Sequence, residues 1–170
     1  MLYHFSEEPD IPIFVPRPVE RDPAMVPVVW ALDEARSLHY MLPRECPRVI
    51  YWKCENTTPE DEKTFFGHSV ANKIIAVENR WLDRIRDVKL YRYTMPEEMF
   101  RKVGPDDTAG YYVSHETVTP IQVEPADDLI DNLIQGGIEL RFTPSLYPLR
   151  DAIIASTVDF SIIRFRNAIP

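Results

Sequence analysis

Short apolar bursts separated by polar or proline-bearing stretches run along the whole chain, and their spacing predicts short elements. Residues 1–6 read as a strand. Pro9, Pro12, Pro16, Pro18, Pro23 and Pro27 then hold a long segment in extended or turn geometry that must wrap over a surface. Residues 26–31 form a β-branched and aromatic run of the kind found in buried strands, and residues 33–41 carry Ala35, Leu38, Tyr40 and Met41 at helical spacing after an Asp33 cap. Pro43 and Pro47 end that helix. Residues 48–54 alternate as a strand, whereas 55–63 are polar and acidic and read as a solvated loop, disordered or acting as a lid.

The second half repeats the mixture. Residues 73–78 predict a strand, 79–86 a short helix with Trp81, Leu82 and Ile85 on one side, 88–94 a strand and 96–100 a helical turn. A turn cluster at 104–108 precedes a strand over 110–118 that continues past a break at 120–123. Pro125 opens a helix in which Leu129, Ile130, Leu133 and Ile134 recur with helical period, stopped by Gly136-Gly137. Residues 138–142 form a strand, 148–157 a helix, and 160–165 a closing strand or extended tail. Strands and short helices are interspersed without regular βαβ spacing, which makes the chain α+β: one domain over residues 1–170, built on a central split, mostly antiparallel sheet.

Composition supports a folded chain and narrows its partners. With 170 residues, 45% hydrophobic and only 5 Gly, disorder and fibrous repeats are poor fits. The 16 prolines, about twice the average share, forbid long helices. Acidic residues outnumber basic ones 27 to 19, and the net charge of -8 argues against bulk, phosphate-driven binding to nucleic acid or to anionic membrane. There is no apolar stretch of membrane-spanning length, and the opening residues lack a basic region followed by an apolar run, so the expectation is a cytoplasmic protein.

Several chemistries lack their residues. His4, His39, His68 and His115 are far apart in sequence and show no zinc-ligand spacing, so no metal is expected. Cys46 and Cys54 lie eight apart, outside redox and zinc-ribbon spacings, and read as free thiols. Neither a nucleophile elbow nor a Gly-rich phosphate loop is present.

Three features in order do stand out: His4 within Leu2-Tyr3-His4-Phe5-Ser6, Trp30 within Val28-Val29-Trp30-Ala31, and Ala35 with Tyr40 in the helix that follows. This order resembles the first two motifs of the ADP-ribosyltransferase-like fold, a strand of the form (Leu/Val)-Tyr-His-Gly-(Ser/Thr) followed by an aromatic-x-Ala strand and an Ala...Tyr helix. The resemblance implies NAD as substrate. It puts His4 on the ribose and adenylate side, Ser6 at the hydroxyl position, and Trp30 and Tyr40 as walls around the nicotinamide, in a cleft between the His4 strand and the Tyr40 helix. Such chemistry passes through an oxocarbenium-like state, which rigid aromatic walls and a polar anchor serve well.

Two departures accompany the resemblance. Phe5 replaces the usual glycine after the histidine, and Gly110 stands where the third motif places the glutamate that bonds the ribose. Glu116 is the nearest substitute, six residues on and roughly 20 Å along an extended strand, on the same face as Gly110 if the strand is continuous. The chain also resembles an uncharacterised family of bacterial proteins sharing the Leu-Tyr-His-Phe-Ser-Glu opening.

Three function classes follow. One is an ADP-ribosyltransferase-like enzyme using NAD through His4, Trp30, Tyr40 and Glu116. The second is a degenerate member binding a nucleotide or a nucleic-acid end without chemistry, and the third is an interaction domain whose partner meets the Pro-rich segment 9–27 or the acidic loop 55–63. Arg44, Arg48, Arg141, Arg150, Arg164 and Arg166 are candidate phosphate contacts, with surface carboxylates as their alternative partners. Ser114, His115 and Glu116 form a polar cluster that reads equally as a site or as a water-facing edge.

Overall fold

The computed structural model describes residues 1–19, 23–104 and 110–170. In chain order these residues form β1 (Leu2–Ser6), β2 (Val29–Asp33), α1 (Glu34–Ser37), β3 (Arg48–Trp52), α2 (Pro59–Phe66), β4 (Lys73–Glu78), α3 (Leu82–Asp87), β5 (Tyr91–Met95), β6 (Arg101–Lys102), β7 (Tyr111–Ser114), β8 (Gln122–Pro125), α4 (Leu129–Gln135), β9 (Ile138–Thr143), α5 (Tyr147–Ile154) and β10 (Asp159–Ile163). The fold is α+β as expected, and its elements are short because prolines and polar breaks interrupt every apolar run. They are arranged in two units, Met1–Met41 with Lys89–Asp127 and Leu42–Val88 with Asp128–Pro170. No helix among the described residues is long and apolar enough to cross a membrane.

The first unit is a six-stranded sheet in the order β6-β7-β2-β1-β5-β8, antiparallel throughout. Strand period two divides its side chains between two faces. Leu2, Val29, Ala31, Tyr93 and Met95 pack with Phe14, Phe100 and Val118 on one. Val28 and Val113 pack with Val19, Met25 and Trp30 on the other. The Pro-rich segment lies across the sheet as expected: Phe14 exchanges backbone hydrogen bonds with Val118 and Arg17 with Val28. Tyr93 fastens its start, the hydroxyl donating to the Glu8 carbonyl at 2.6 Å and accepting from the Ile11 amide at 3.1 Å. Burial pushes this phenol upward against the opposing pull of the Ile11 amide.

The second unit is a four-stranded sheet in the order β10-β3-β4-β9, with β4 and β9 parallel and the other pairs antiparallel. All five β3 residues are buried, as a strand covered on both faces requires. Val49, Tyr51, Ile74 and Ala76 pack with Phe65 and Phe66 of α2 and with Leu146, Ile153 and Val158.

Several expectations need correction. Part of the acidic segment 55–63 is helical, because Thr58 caps α2 by accepting from the Asp61 amide, Pro59 starts the first turn, and Glu60, Asp61 and Glu62 suit its positive end. Phe65 and Phe66 then anchor it in the core. Pro125 ends β8 and does not open a helix. The strand expected over 110–118 stops at Ser114, and residues 122–125 pair separately with β5. Most of the 104–108 turn lies outside the described residues.

Candidate functional site

His4, Ser6, Trp30, Tyr40 and Glu116 all lie in the first unit, whereas the candidate phosphate contacts Arg44, Arg48, Arg141, Arg150, Arg164 and Arg166 all lie in the second. Tyr3 stands opposite Leu32, and Trp30 opposite Val113, so Tyr3, Trp30, Leu32 and Val113 share one face of the sheet. His4, one residue on from Tyr3 and opposite Tyr93, points to the other. Packing agrees with the register. The His4 ring sits 4.8 Å from Phe14, which in turn meets Tyr93, whereas Trp30 meets Tyr111 at 5.6 Å. What joins His4 to Trp30 is the backbone: Nδ1 donates to the Trp30 carbonyl at 2.9 Å, which fixes the Nδ1–H tautomer.

Tyr40 follows α1 in a 3-10 turn over Leu38–Tyr40. The turn forms because Asp33 caps α1, its carboxylate accepting from the Arg36 amide at 2.9 Å, and the helix is then cut short before Pro43. The Tyr40 hydroxyl lies 2.8 Å from the Tyr111 hydroxyl, and their rings meet edge to face at 6.3 Å. Trp30, Tyr111 and Tyr40 thus make a contiguous row of half-buried rings, with Tyr111 in the middle. Register adds a cation, since Arg101 and Trp30 both stand opposite Val113 and so share its face.

Tyr111 is the member of this aromatic row that sequence reading missed. Its signal is the pair Tyr111-Tyr112 directly after Gly110: at strand period one ring must enter the core and the other the opposite face. Tyr112 packs with the Phe14 core and Tyr111 with Trp30.

Other predicted residues do not join this row. Ser6 is buried and its hydroxyl accepts from the Glu8 amide at 3.1 Å. Glu116 lies in an exposed bend past the end of β7, not on a strand face shared with Gly110. Its amide donates to Ser114 Oγ at 3.2 Å, and His115 Nδ1 donates to the Pro27 carbonyl at 3.3 Å, so the polar cluster 114–116 shapes a turn. Gly110 has φ +69, and a Cβ there would fall 2.5 Å from Arg36 Cγ and 2.7 Å from an Asp33 carboxylate oxygen. Neither the backbone nor the space suits a glutamate.

An open hollow of about 410 Å³ in the same unit is lined by Leu2, Asp33, Glu34, Ala35, Glu97 and Tyr112, among others, but not by His4, Trp30 or Tyr40. Among the described residues no group of three or more His, Cys, Asp or Glu is placed to hold a metal ion. Both cysteines are free, and burial pushes the Cys46 thiol up to about 12.

A family profile matches residues 3–168, nearly the whole chain. The chain belongs to the family of unknown function DUF6886. No curated protein and no solved structure matches it. The match to DUF6886 spans both units, so the aromatic row and the second unit's sheet alike fall within the family's extent.

Proposed function

We propose that this protein binds a nucleotide-type small molecule, with NAD the first candidate, at the row of Trp30, Tyr111 and Tyr40, whose successive rings are nearly perpendicular, so that a planar base stacks on one of them at a time. The observation that carries this reading is the row of half-buried rings held rigid by the 2.8 Å contact between the Tyr40 and Tyr111 hydroxyls. Stacking a base on an aromatic side chain is worth about 1–3 kcal/mol, and fixing the wall in advance lowers the ordering cost of binding. Arg101 supplies a cation on the same face for a phosphate.

Binding without turnover is favoured over ADP-ribosyl transfer, since no carboxylate reaches the row from position 110 or from Glu116. Transfer keeps the support of the ordered His4, Trp30 and Tyr40 motifs. The test is calorimetric titration of NAD into wild type, Trp30→Ala and His4→Ala, with nicotinamide release followed in the same samples. The expected result is binding by wild type, a loss of about tenfold or more in Trp30→Ala, a smaller change in His4→Ala, and no nicotinamide. Nicotinamide from wild type but not from His4→Ala would show cleavage of the glycosidic bond and support the transferase reading instead, and no binding at millimolar NAD would overturn both readings.

A further inference from the structure

Three side chains of the second unit converge on the main chain of one short segment. Glu78, the last residue of β4, is fully buried; Oε2 accepts from Arg80 Nε and Oε1 from the Ile169 amide, each at 2.8 Å. Ser145, between β9 and α5, donates Oγ–H to the Ile169 carbonyl at 3.1 Å while accepting from the Tyr147 amide at 3.3 Å. Arg80 also donates from a terminal nitrogen to the Asn167 carbonyl. The N–H and C=O of Ile169 are thus both read, together with the C=O two residues earlier. A fully buried carboxylate oxygen left without a donor is costly, so this seat demands an occupant that brings an N–H to Glu78.

Side chains of the segment add little to this recognition. Ile169 is 44% exposed and Ala168 only 9%, so the seat closes over a small side chain at 168 and leaves 169 free to vary. Asn167 adds a side-chain contact, Nδ2 donating to the carbonyl of Glu45, in the loop before β3, at 2.7 Å and to its Oε2 at 2.9 Å. The apolar anchor lies upstream. Phe165 packs against the core of the second sheet, its ring 4.9 Å from Tyr147 and 4.5 Å from the Arg150 guanidinium. Arg164 before it has φ +53, a conformation disfavoured for a residue with a Cβ, which sets the chain's direction out of β10. Residues 167–170 are therefore held beyond the anchor by polar ties and one small side chain, and they can leave without withdrawing Phe165 from the core.

We propose that Glu78, Arg80 and Ser145 form a docking seat for an extended peptide, and that residues 167–170 are an internal strap that occupies it until a competing segment takes its place. The occupant is read by its main chain, as in other modes of extended-peptide recognition, with a small side chain required at the position of Ala168. The seat lies in the second unit and the aromatic row in the first, so either proposal can fail without the other.

The test is fluorescence anisotropy of a labelled peptide with the sequence of residues 164–170, titrated with the full chain. Ile169→Pro in the protein removes the amide that Glu78 accepts and frees the seat. This variant is expected to bind the peptide, and wild type to bind it about tenfold or more weakly, because the tethered strap competes. Adding Glu78→Gln to Ile169→Pro should cost about tenfold or more. Peptides carrying Ile169→Pro or Ala168→Leu should lose as much, and these change nothing in the protein. Trp30→Ala leaves peptide binding intact, which separates this result from the NAD test. No binding to the Ile169→Pro protein at millimolar concentration overturns the proposal, as does equal binding of the Ile169→Pro peptide. Should the Ile169→Pro protein not fold, isotope-labelled wild type decides: excess unlabelled peptide is expected to speed hydrogen exchange at the Ile169 amide, and an unchanged rate overturns the proposal.

Discussion

The two units solve the same problem, fastening irregular segments to a sheet, with different chemistry. The first holds 7 basic and 14 acidic residues and ties its Pro-rich segment and its Tyr40 turn with neutral phenols, Tyr93 to Glu8 and Ile11, and Tyr40 to Tyr111. The second holds 12 basic and 13 acidic residues and ties its loops with buried ions, Arg48 and Glu78. A buried ion is held in place only while its hydrogen bonds are complete, so it specifies loop geometry stringently and leaves a large penalty when a partner goes. A phenol is a weaker tie that brings no ionised group of its own into the interior.

The largest effect expected is therefore in the second unit. Arg48→Met should cost about 3 kcal/mol, because the Cys46 and Pro43 carbonyls lose a buried donor, while Tyr93→Phe should cost about 1 kcal/mol. Urea unfolding midpoints of the two variants measure the difference, and equal losses would break the comparison. Between them falls Gly110→Ala, expected to cost about 2 kcal/mol because its φ of +69 and the crowding by Arg36 and Asp33 both oppose a Cβ. A neutral Gly110→Ala by the same assay would mean that the third-motif position has room for a carboxylate after all.

Acid sharpens the comparison with the smallest effect. Glu45, Asp61 and Glu139 all lie in the second unit, and all three carboxyls sit below their ordinary values. Asn167 donates to the first, with Arg164, Arg166 and Arg44 nearby; Thr157 donates to the second, and Ser69 and Arg141 to the third. Because the folded values are depressed, these groups contribute stability that is present above the ordinary values of 4.5 for glutamate and 3.8 for aspartate, and that is lost as pH falls through the folded values. Hydrogen exchange at pH 7 and pH 3, corrected for intrinsic rates, should show protection falling more in β3 and β4 than in β1 and β2. The reverse order would place the acid-sensitive groups in the first unit.

Much of the local structure was legible in the sequence. The alternation at 1–6, the Asp33 cap, and the apolar runs at 48–54, 73–78 and 138–142 are each matched by an element. The helix α2 was missed although Thr58-Pro59-Glu60-Asp61-Glu62 carries the signs of a helix start, because the acidity of the segment masked them. Residues 110–118 show the opposite error. Their strand propensity is real, but Ser114 turns the chain by accepting from the Glu116 amide, and propensity does not say where pairing ends.

By itself the sequence determined the α+β class, the short elements and the three aromatic and histidine positions worth watching, because these follow from local periodicity and residue chemistry. Sharing of faces was decided only by tertiary structure. A register of Tyr3 opposite Leu32 sends His4 to one face and Trp30 to the other, and a shift of one residue would have reversed it. The carboxylate that Arg166 meets was equally hidden, since Arg166 and Glu45 are separated by 121 positions and meet only because the turn Phe165–Asn167 returns to the loop before β3.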